Sequence, residues 1–190
     1  MALQPFSTSQ PLTLGVELEL QLVSTHDYDL APQAEDLLRV LKSHTGDWDV
    51  KPEITRSMIE IGTSIQRQHQ TLVAELRDLR DQLARGARRL NIGIAGGGTH
   101  PFQHWSQQQI YPGERFRYLS ELYGYLAKQF AVFSQHVHVG CSGGDDGLYL
   151  VHSLSRYVPH LVALTAAGNV LGAIIAWGLP DGRGRSAARA

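Results

Sequence analysis

The stretch GVELELQLV, residues 15–23, alternates apolar and polar side chains with a period of two. In a β-strand successive side chains point to opposite faces, so this pattern predicts a strand with one apolar face. Glu17 and Glu19 lie side by side on the other face, roughly 7 Å apart at about 3.3 Å per residue. Their charges repel each other. This polar face is therefore either the solvated side of an antiparallel sheet or a surface turned towards a cation.

The composition predicts one ordinary globular domain with no nucleic-acid partner. Of the 190 residues, 43% are hydrophobic and 18% are charged, and the formal net charge is −1. A chain this close to neutral lacks the basic surface that polyanion binding requires. The single cysteine, Cys141, excludes an internal disulfide framework and is typical of a reducing compartment. With neither a secretion signal nor an apolar run of membrane-spanning length, we expect a cytoplasmic protein with no membrane contact.

Strand and helix patterns interleave along the chain. Alternation predicts β-structure over residues 12–23, 50–55, 58–63, 91–95 and 132–140. Helical spacing predicts helices within residues 31–47, 66–90, 113–130 and 145–167, with a stop at Gly46 and a kink or break at Pro159. Because the strands carry polar residues on one face, we expect an α+β fold with an antiparallel or mixed sheet.

One predicted helix carries an aromatic stripe. Within residues 113–130, helical spacing places five large apolar side chains on one face. They are Phe116, Leu119, Tyr123, Leu126 and Phe130. We expect this face to pack in the core.

Further chemistry-bearing residues lie on the other predicted strands. Glu53 and Glu60 lie in the β-rich middle of the chain, and His136 and His138 share one face of HVHVG. Each pair has a structural interpretation, since a strand histidine is often only hydrogen-bonded and Glu53 could pair with Arg56 or Lys51 at the surface. The odd spacing of Glu53 and Glu60 also requires a turn or bulge at residues 56–57 before they can share a face.

Together these residues indicate a metal site. Four carboxylates on one sheet face would raise one another's pKa and destabilise the fold unless cations neutralised them. Carboxylate oxygens are ligands for Mg²⁺ and Ca²⁺, whereas imidazole suits Mn²⁺ or Zn²⁺ better. The histidines could instead contact phosphate or orient a carboxylate. The majority of glutamates favours Mg²⁺ or Mn²⁺.

Four motifs in this order resemble the glutamate–cysteine ligase type 2 family of bacterial carboxylate–amine ligases. They are GVELELQLV, KPEITRSMIEIGTSI, GGGTHPFQHW and SQHVHVG, within a likeness that runs from about residue 14 to residue 167. The resemblance implies part of a glutamine synthetase-like catalytic domain, with a curved, mainly antiparallel sheet and flanking helices. It also implies that ATP and Mg²⁺ or Mn²⁺ bind on the concave face of that sheet.

The resemblance further implies a reaction and a set of site residues. ATP would activate L-glutamate as an acyl phosphate, and L-cysteine or another amine would displace phosphate. The expected metal ligands are Glu17, Glu19, Glu53, Glu60 and His138, with His136 and His138 at the cofactor phosphates. A homodimer is a further expectation.

Residues 168–190 depart from the family pattern. They form a Gly/Arg/Ala-rich low-complexity tail, which we interpret as a frameshift or premature stop after an N-terminal domain portion at 1–167. We therefore expect an impaired ligase. Two other functions stay open at this point, namely a non-catalytic fragment that binds metal or nucleotide, and a metal-dependent hydrolase that uses the same residues to activate water.

Overall fold

A computed structural model describes residues 6–42, 49–129 and 132–163 of the chain. The strands are β1 (Leu14–Ser24), β2 (Asp49–Pro52), β3 (Met58–Gly62), β4 (Ile92–Ala95) and β5 (Gln135–Val139). The helices are α1 (Ala34–Lys42), α2 (His69–Arg88), α3 (Glu114–Tyr123), α4 (Leu126–Gln129) and α5 (Gly144–Ser155), with a short 3₁₀ helix at Trp105–Gln107. The predicted tail at 168–190 and the predicted stop at Gly46 lie outside the described residues.

β1 is the strand around which the sheet is built. Residues 17–21 of this 11-residue strand pair with β3 along one edge, whereas the opposite edge is shared by β5 and β4. β2 pairs with β3 on the far side, and all of these pairings are antiparallel. The described residues therefore form an antiparallel five-stranded sheet with flanking helices, which confirms the predicted α+β class.

The main hydrophobic core lies on the apolar face of this sheet. Leu22 of β1 and Ile59 of β3 are fully buried there, beside residues of α1 and α2. Leu37 of α1 has no exposed surface, and Leu83 of α2 is 2% exposed. The periodic leucines of both helices thus cover the face predicted from the alternation in β1.

A second, smaller core lies at one end of the polar face. It joins Met58 of β3 to Phe116 of α3, Ala127 of α4 and the buried Phe133. Gln21, opposite Met58 in the register, is only 4% exposed. The polar face of the sheet is therefore closed by packing at this end.

The predicted aromatic stripe is partly wrong. The helix is interrupted at Gly124, whose φ of 57° lies in the left-handed region that glycine adopts readily. Tyr123, just before this interruption, and Leu126, just after it, are 44% and 41% exposed, whereas Phe116 is buried. Phe130 lies outside the described residues.

Two other boundaries differ from the pattern. The predicted strand at 50–55 ends at Pro52, and residues 53–57 connect β2 to β3 as a hairpin, which is one of the two arrangements expected for this segment, the other being a bulged strand. After α5 the chain turns at 156–157 and is helical again over 158–163, with Pro159 in the first turn where its missing N–H is tolerated. The predicted break between two helices is thus present, but it lies at residues 156–157, just before Pro159.

None of the helices in the described ranges combines the length and the apolar character needed to cross a bilayer.

The core assignment predicts different effects for two leucines. Leu37→Ala removes a side chain with no exposed surface and leaves a cavity, so we expect a loss of about 2–5 kcal/mol in unfolding free energy. Leu148→Ala, at a site that is 72% exposed, should change it by less than about 0.5 kcal/mol. Urea denaturation followed by circular dichroism measures both, and equal effects would contradict the described core.

Candidate active site

The register of the sheet places three of the predicted glutamates on one surface, which we call the acidic face. Glu17 and Glu19 alternate with the partly buried Leu18 and Leu20 of β1, and Glu60 lies directly opposite Glu19 on β3. Lys51 of β2 lies opposite Glu60 in turn. Because the hairpin connection between β2 and β3 follows Pro52, Glu53 approaches this face from a loop instead of a strand.

Glu17 forms a compact group with the two histidines of β5. His136 lies directly opposite Glu17, and His138 lies opposite the adjacent Gly15, where no side chain intervenes. The distance from Glu17 Oε2 is 3.1 Å to His138 Nε2 and 3.5 Å to His136 Nδ1. One ligand atom from each of the three residues lies within 4.8 Å of the others. We call this the Glu17 group.

The histidines favour the charged form of Glu17. The hydrogen bond with His138 is the main cause that lowers the pKa of the Glu17 carboxyl below its ordinary value of 4.5, with a smaller contribution from His136. The side chain of Glu17 is about one-third exposed. A carboxylate and two imidazole rings therefore face a region that solvent or an ion can enter.

The remaining strand carboxylates each have a different partner. Glu19 Oε2 accepts a 2.7 Å hydrogen bond from the backbone N–H of Ser134, just before β5. Glu60 Oε1 lies 3.4 Å from Lys51 Nζ, which also contacts Asp49 at 2.9 Å. The backbone donor and the lysine charge offset the repulsion between these directly opposed carboxylates.

Glu53 is the carboxyl that is least well accommodated. Partial burial is the main cause that raises its pKa above 4.5, although a 2.8 Å hydrogen bond from the N–H of Ile54 counteracts this. The charges of Glu19 and Glu60 raise the pKa further. Arg56 contacts Glu35 at 3.5 Å, so it is not the surface partner considered for Glu53.

The donor chemistry of the Glu17 group fits a divalent cation. Two imidazole nitrogens and a carboxylate oxygen suit Mn²⁺ or Zn²⁺ better than Mg²⁺. Among the described residues, this is the group of three ligand atoms close enough to share one ion. Glu19, Glu53 and Glu60 form a neighbouring carboxylate set that is not included in it, so their ligand role stays a prediction.

Two further contributors to this surface were not predicted, namely Ser134 and the contact of Lys51, which was expected beside Glu53, with Glu60. Alternation in DVKP could have indicated the face of β2 on which Lys51 lies. Only the register between the strands shows that its neighbour on that face is Glu60. The contribution of Ser134 is a backbone N–H, which no pattern of side chains reveals.

The comparisons with known proteins agree on a ligase family. The family model for glutamate–cysteine ligase family 2 matches residues 13–172. A protein from Methylibium petroleiphilum with the provisional name glutamate–cysteine ligase 2 is 74% identical over 88% of the chain. Proteins of the same provisional name from Ralstonia pickettii and Nitrosospira multiformis are 61% and 58% identical over the same share.

A solved structure has a similar fold. It is a glutamate–cysteine ligase from Francisella tularensis in complex with AMP, with a TM-score of 0.50 and 15% identity over 80% of this chain and 30% of its own. The chain spans 45%, 44% and 45% of the length of the three curated relatives. From the match over residues 13–172 and these identities, the chain belongs to glutamate–cysteine ligase family 2.

Proposed function

We propose that this chain supplies metal- and nucleotide-binding residues of an ATP-dependent carboxylate–amine ligase that joins L-glutamate to L-cysteine. The observation that carries the proposal is the Glu17 group, which lies on the acidic face of a chain from this ligase family. The AMP in the Francisella tularensis ligase supports an adenine nucleotide as the cosubstrate.

The proposed reaction has two steps. A γ-carboxylate oxygen of glutamate attacks the γ-phosphorus of ATP, the bond to the β-phosphate oxygen breaks, and ADP leaves. The amine of cysteine then attacks the carbonyl carbon of the acyl phosphate, phosphate leaves, and the amine nitrogen loses a proton. Such phosphoryl transfer depends mainly on positioning and on neutralising charge, so no nucleophile from the protein is required.

The chain's own residues would perform the positioning. Glu17, His136 and His138 would hold a divalent cation, and Glu19, Glu53 and Glu60 would supply carboxylates for further ions. Bound Mg²⁺ or Mn²⁺ supplies positive charge to the phosphates of ATP. Ser134 orients Glu19 through its N–H, and Lys51 compensates Glu60. A cytoplasmic location and a homodimer stay predictions.

The first prediction from the proposed function concerns Mn²⁺ binding. Glu17→Gln keeps the shape of the side chain but removes the charge, so we expect at least about tenfold weaker binding of Mn²⁺ to the 190-residue chain. Glu121→Gln, on the exposed surface of α3, serves as the matched control and should bind as the unmodified chain does. Isothermal titration calorimetry measures both. Unchanged affinity in Glu17→Gln would remove the Glu17 group as the metal site.

The second prediction concerns turnover. We expect the 190-residue chain to bind Mn²⁺ yet release little ADP with glutamate and cysteine, because it spans less than half of its relatives' length. A coupled ADP-release assay checks this. Strong ADP release that requires both amino acids would show that these residues suffice for ligation. Phosphate release that requires neither amino acid would instead indicate a metal-dependent hydrolase.

The third prediction concerns pH. The folded state raises the pKa of Glu53, so as pH rises above 4.5 this carboxyl keeps its proton more readily in the folded metal-free protein than in the unfolded chain. Ionisation of Glu53 therefore costs stability at neutral pH and not below 4.5. Glu53→Gln should raise the melting temperature at pH 7 in the presence of a chelator, and the gain should shrink as pH approaches 4. Thermal scans against pH, with Glu121→Gln as control, would contradict this if the gain were constant.

A further inference from the structure

A groove of about 620 Å³ lies between α2 and the apolar face of the sheet. The strands contribute apolar walls from β1 and β4, and α2 contributes small and branched apolar side chains. The strand residues include Leu18, Leu20 and Ile94, and the helix residues include Val73, Leu76 and Ala84. Because Leu18 and Leu20 alternate with Glu17 and Glu19, this α2 groove lies on the face opposite the candidate active site.

Within residues 6–42, 49–129 and 132–163, nothing covers the part of the hydrophobic layer that forms the α2 groove. Leu18 and Leu20 point to the same sheet face as the fully buried Leu22, yet they are only partly buried. Leu76 of α2 is likewise partly exposed, although it belongs to the leucine series that covers the sheet further along. Adjacent apolar walls on a helix and a sheet are what a second helix buries when it packs on a sheet.

Three arginines of α2 border the groove. Arg77, Arg80 and Arg88 are all exposed, and their spacings of three and eleven residues place them along one side of the helix. Arg80 forms a surface ion pair with Asp81 at 2.8 Å. Within the described ranges, the ion pairs found include no carboxylate partner for Arg77 or Arg88. The rim therefore offers positive charge to an occupant.

The lengths of the relatives identify a source for this occupant. The chain spans only 44–45% of the three curated relatives, so more than half of each lies outside the matched region. We propose that the α2 groove is the docking site of an amphipathic helix from that further polypeptide, with its apolar face on Leu18, Leu20 and Leu76 and acidic residues facing the arginine rim. This proposal rests on family membership and is independent of the proposed reaction.

The test uses the 190-residue chain and labelled peptides. Overlapping peptides of about 25 residues, long enough for about seven helical turns, cover the Methylibium petroleiphilum relative outside its matched region. Fluorescence anisotropy measures their binding. We expect one peptide, or a few overlapping ones, to bind, to be amphipathic with an acidic flank, and to bind more weakly at high salt.

Two sets of variants locate the binding site. Leu76→Glu and the pair Arg77→Glu with Arg88→Glu should each weaken binding about tenfold or more, since they place charge in the apolar wall or reverse the rim. Arg39→Glu on α1, at a side chain that is 74% exposed, is the matched control and should leave binding unchanged. The paired arginine variant lies on exposed positions, so it keeps the test informative if Leu76→Glu does not fold.

Three outcomes would overturn the proposal. The first is that no peptide binds at concentrations up to about 100 µM. The second is binding that the groove variants do not alter, and the third is preferential binding of oleate in the groove. The last outcome would show that the apolar walls and arginines bind an anionic lipid instead. Mn²⁺ binding by the Glu17 group does not enter any of these outcomes, so failure here leaves the proposed function intact.

Discussion

The structure depends on the strict alternation of side chains in β1. This strand is paired along both edges, to β3 on one side and to β4 and β5 on the other. Its leucines face the core under α1 and α2, where full burial of one such side chain contributes about 1.5–3 kcal/mol. A slip of the register by one residue would move Glu17 and Glu19 into that core, which is prohibitively costly. Burial of the leucines therefore holds the two carboxylates on the opposite face.

Three different contacts offset the repulsion between the carboxylates of the acidic face. Glu17 has the histidines of β5, Glu19 has the N–H of Ser134, and Glu60 has Lys51. Glu53 lacks an equivalent cation contact at ion-pair distance in the described part of the chain, and burial raises its pKa. A bound cation is the addition that would favour all four ionised carboxylates at once. The contacts of Glu17, Glu19 and Glu60 thus offset part of the repulsion on this face, and a bound cation would offset more of it.

The two faces of the sheet have separate chemistry. One face presents carboxylates and imidazoles, and the other presents the α2 groove with its apolar walls and arginine rim. An occupant of the groove would contact β1 and β4 from behind and would not compete with ligands of Glu17. It would also bury Leu18 and Leu20. Because Glu17 and Glu19 are their neighbours in the same strand, this burial would restrict the movement of the candidate site.

Much of this architecture could be predicted from local pattern. The alternation in β1 and HVHVG indicated which residues share a face, and the leucine spacing indicated α1 and α2. The tertiary structure decided what these patterns could not. It ended β2 at Pro52, interrupted the aromatic helix at Gly124, and placed His136 opposite Glu17 while Lys51 faces Glu60. Side-chain periodicity is a property of one segment, so the sequence determined the face on which each carboxylate lies. The partner of each carboxylate depends on the register between strands that are distant in the chain, and only the folded sheet establishes that register.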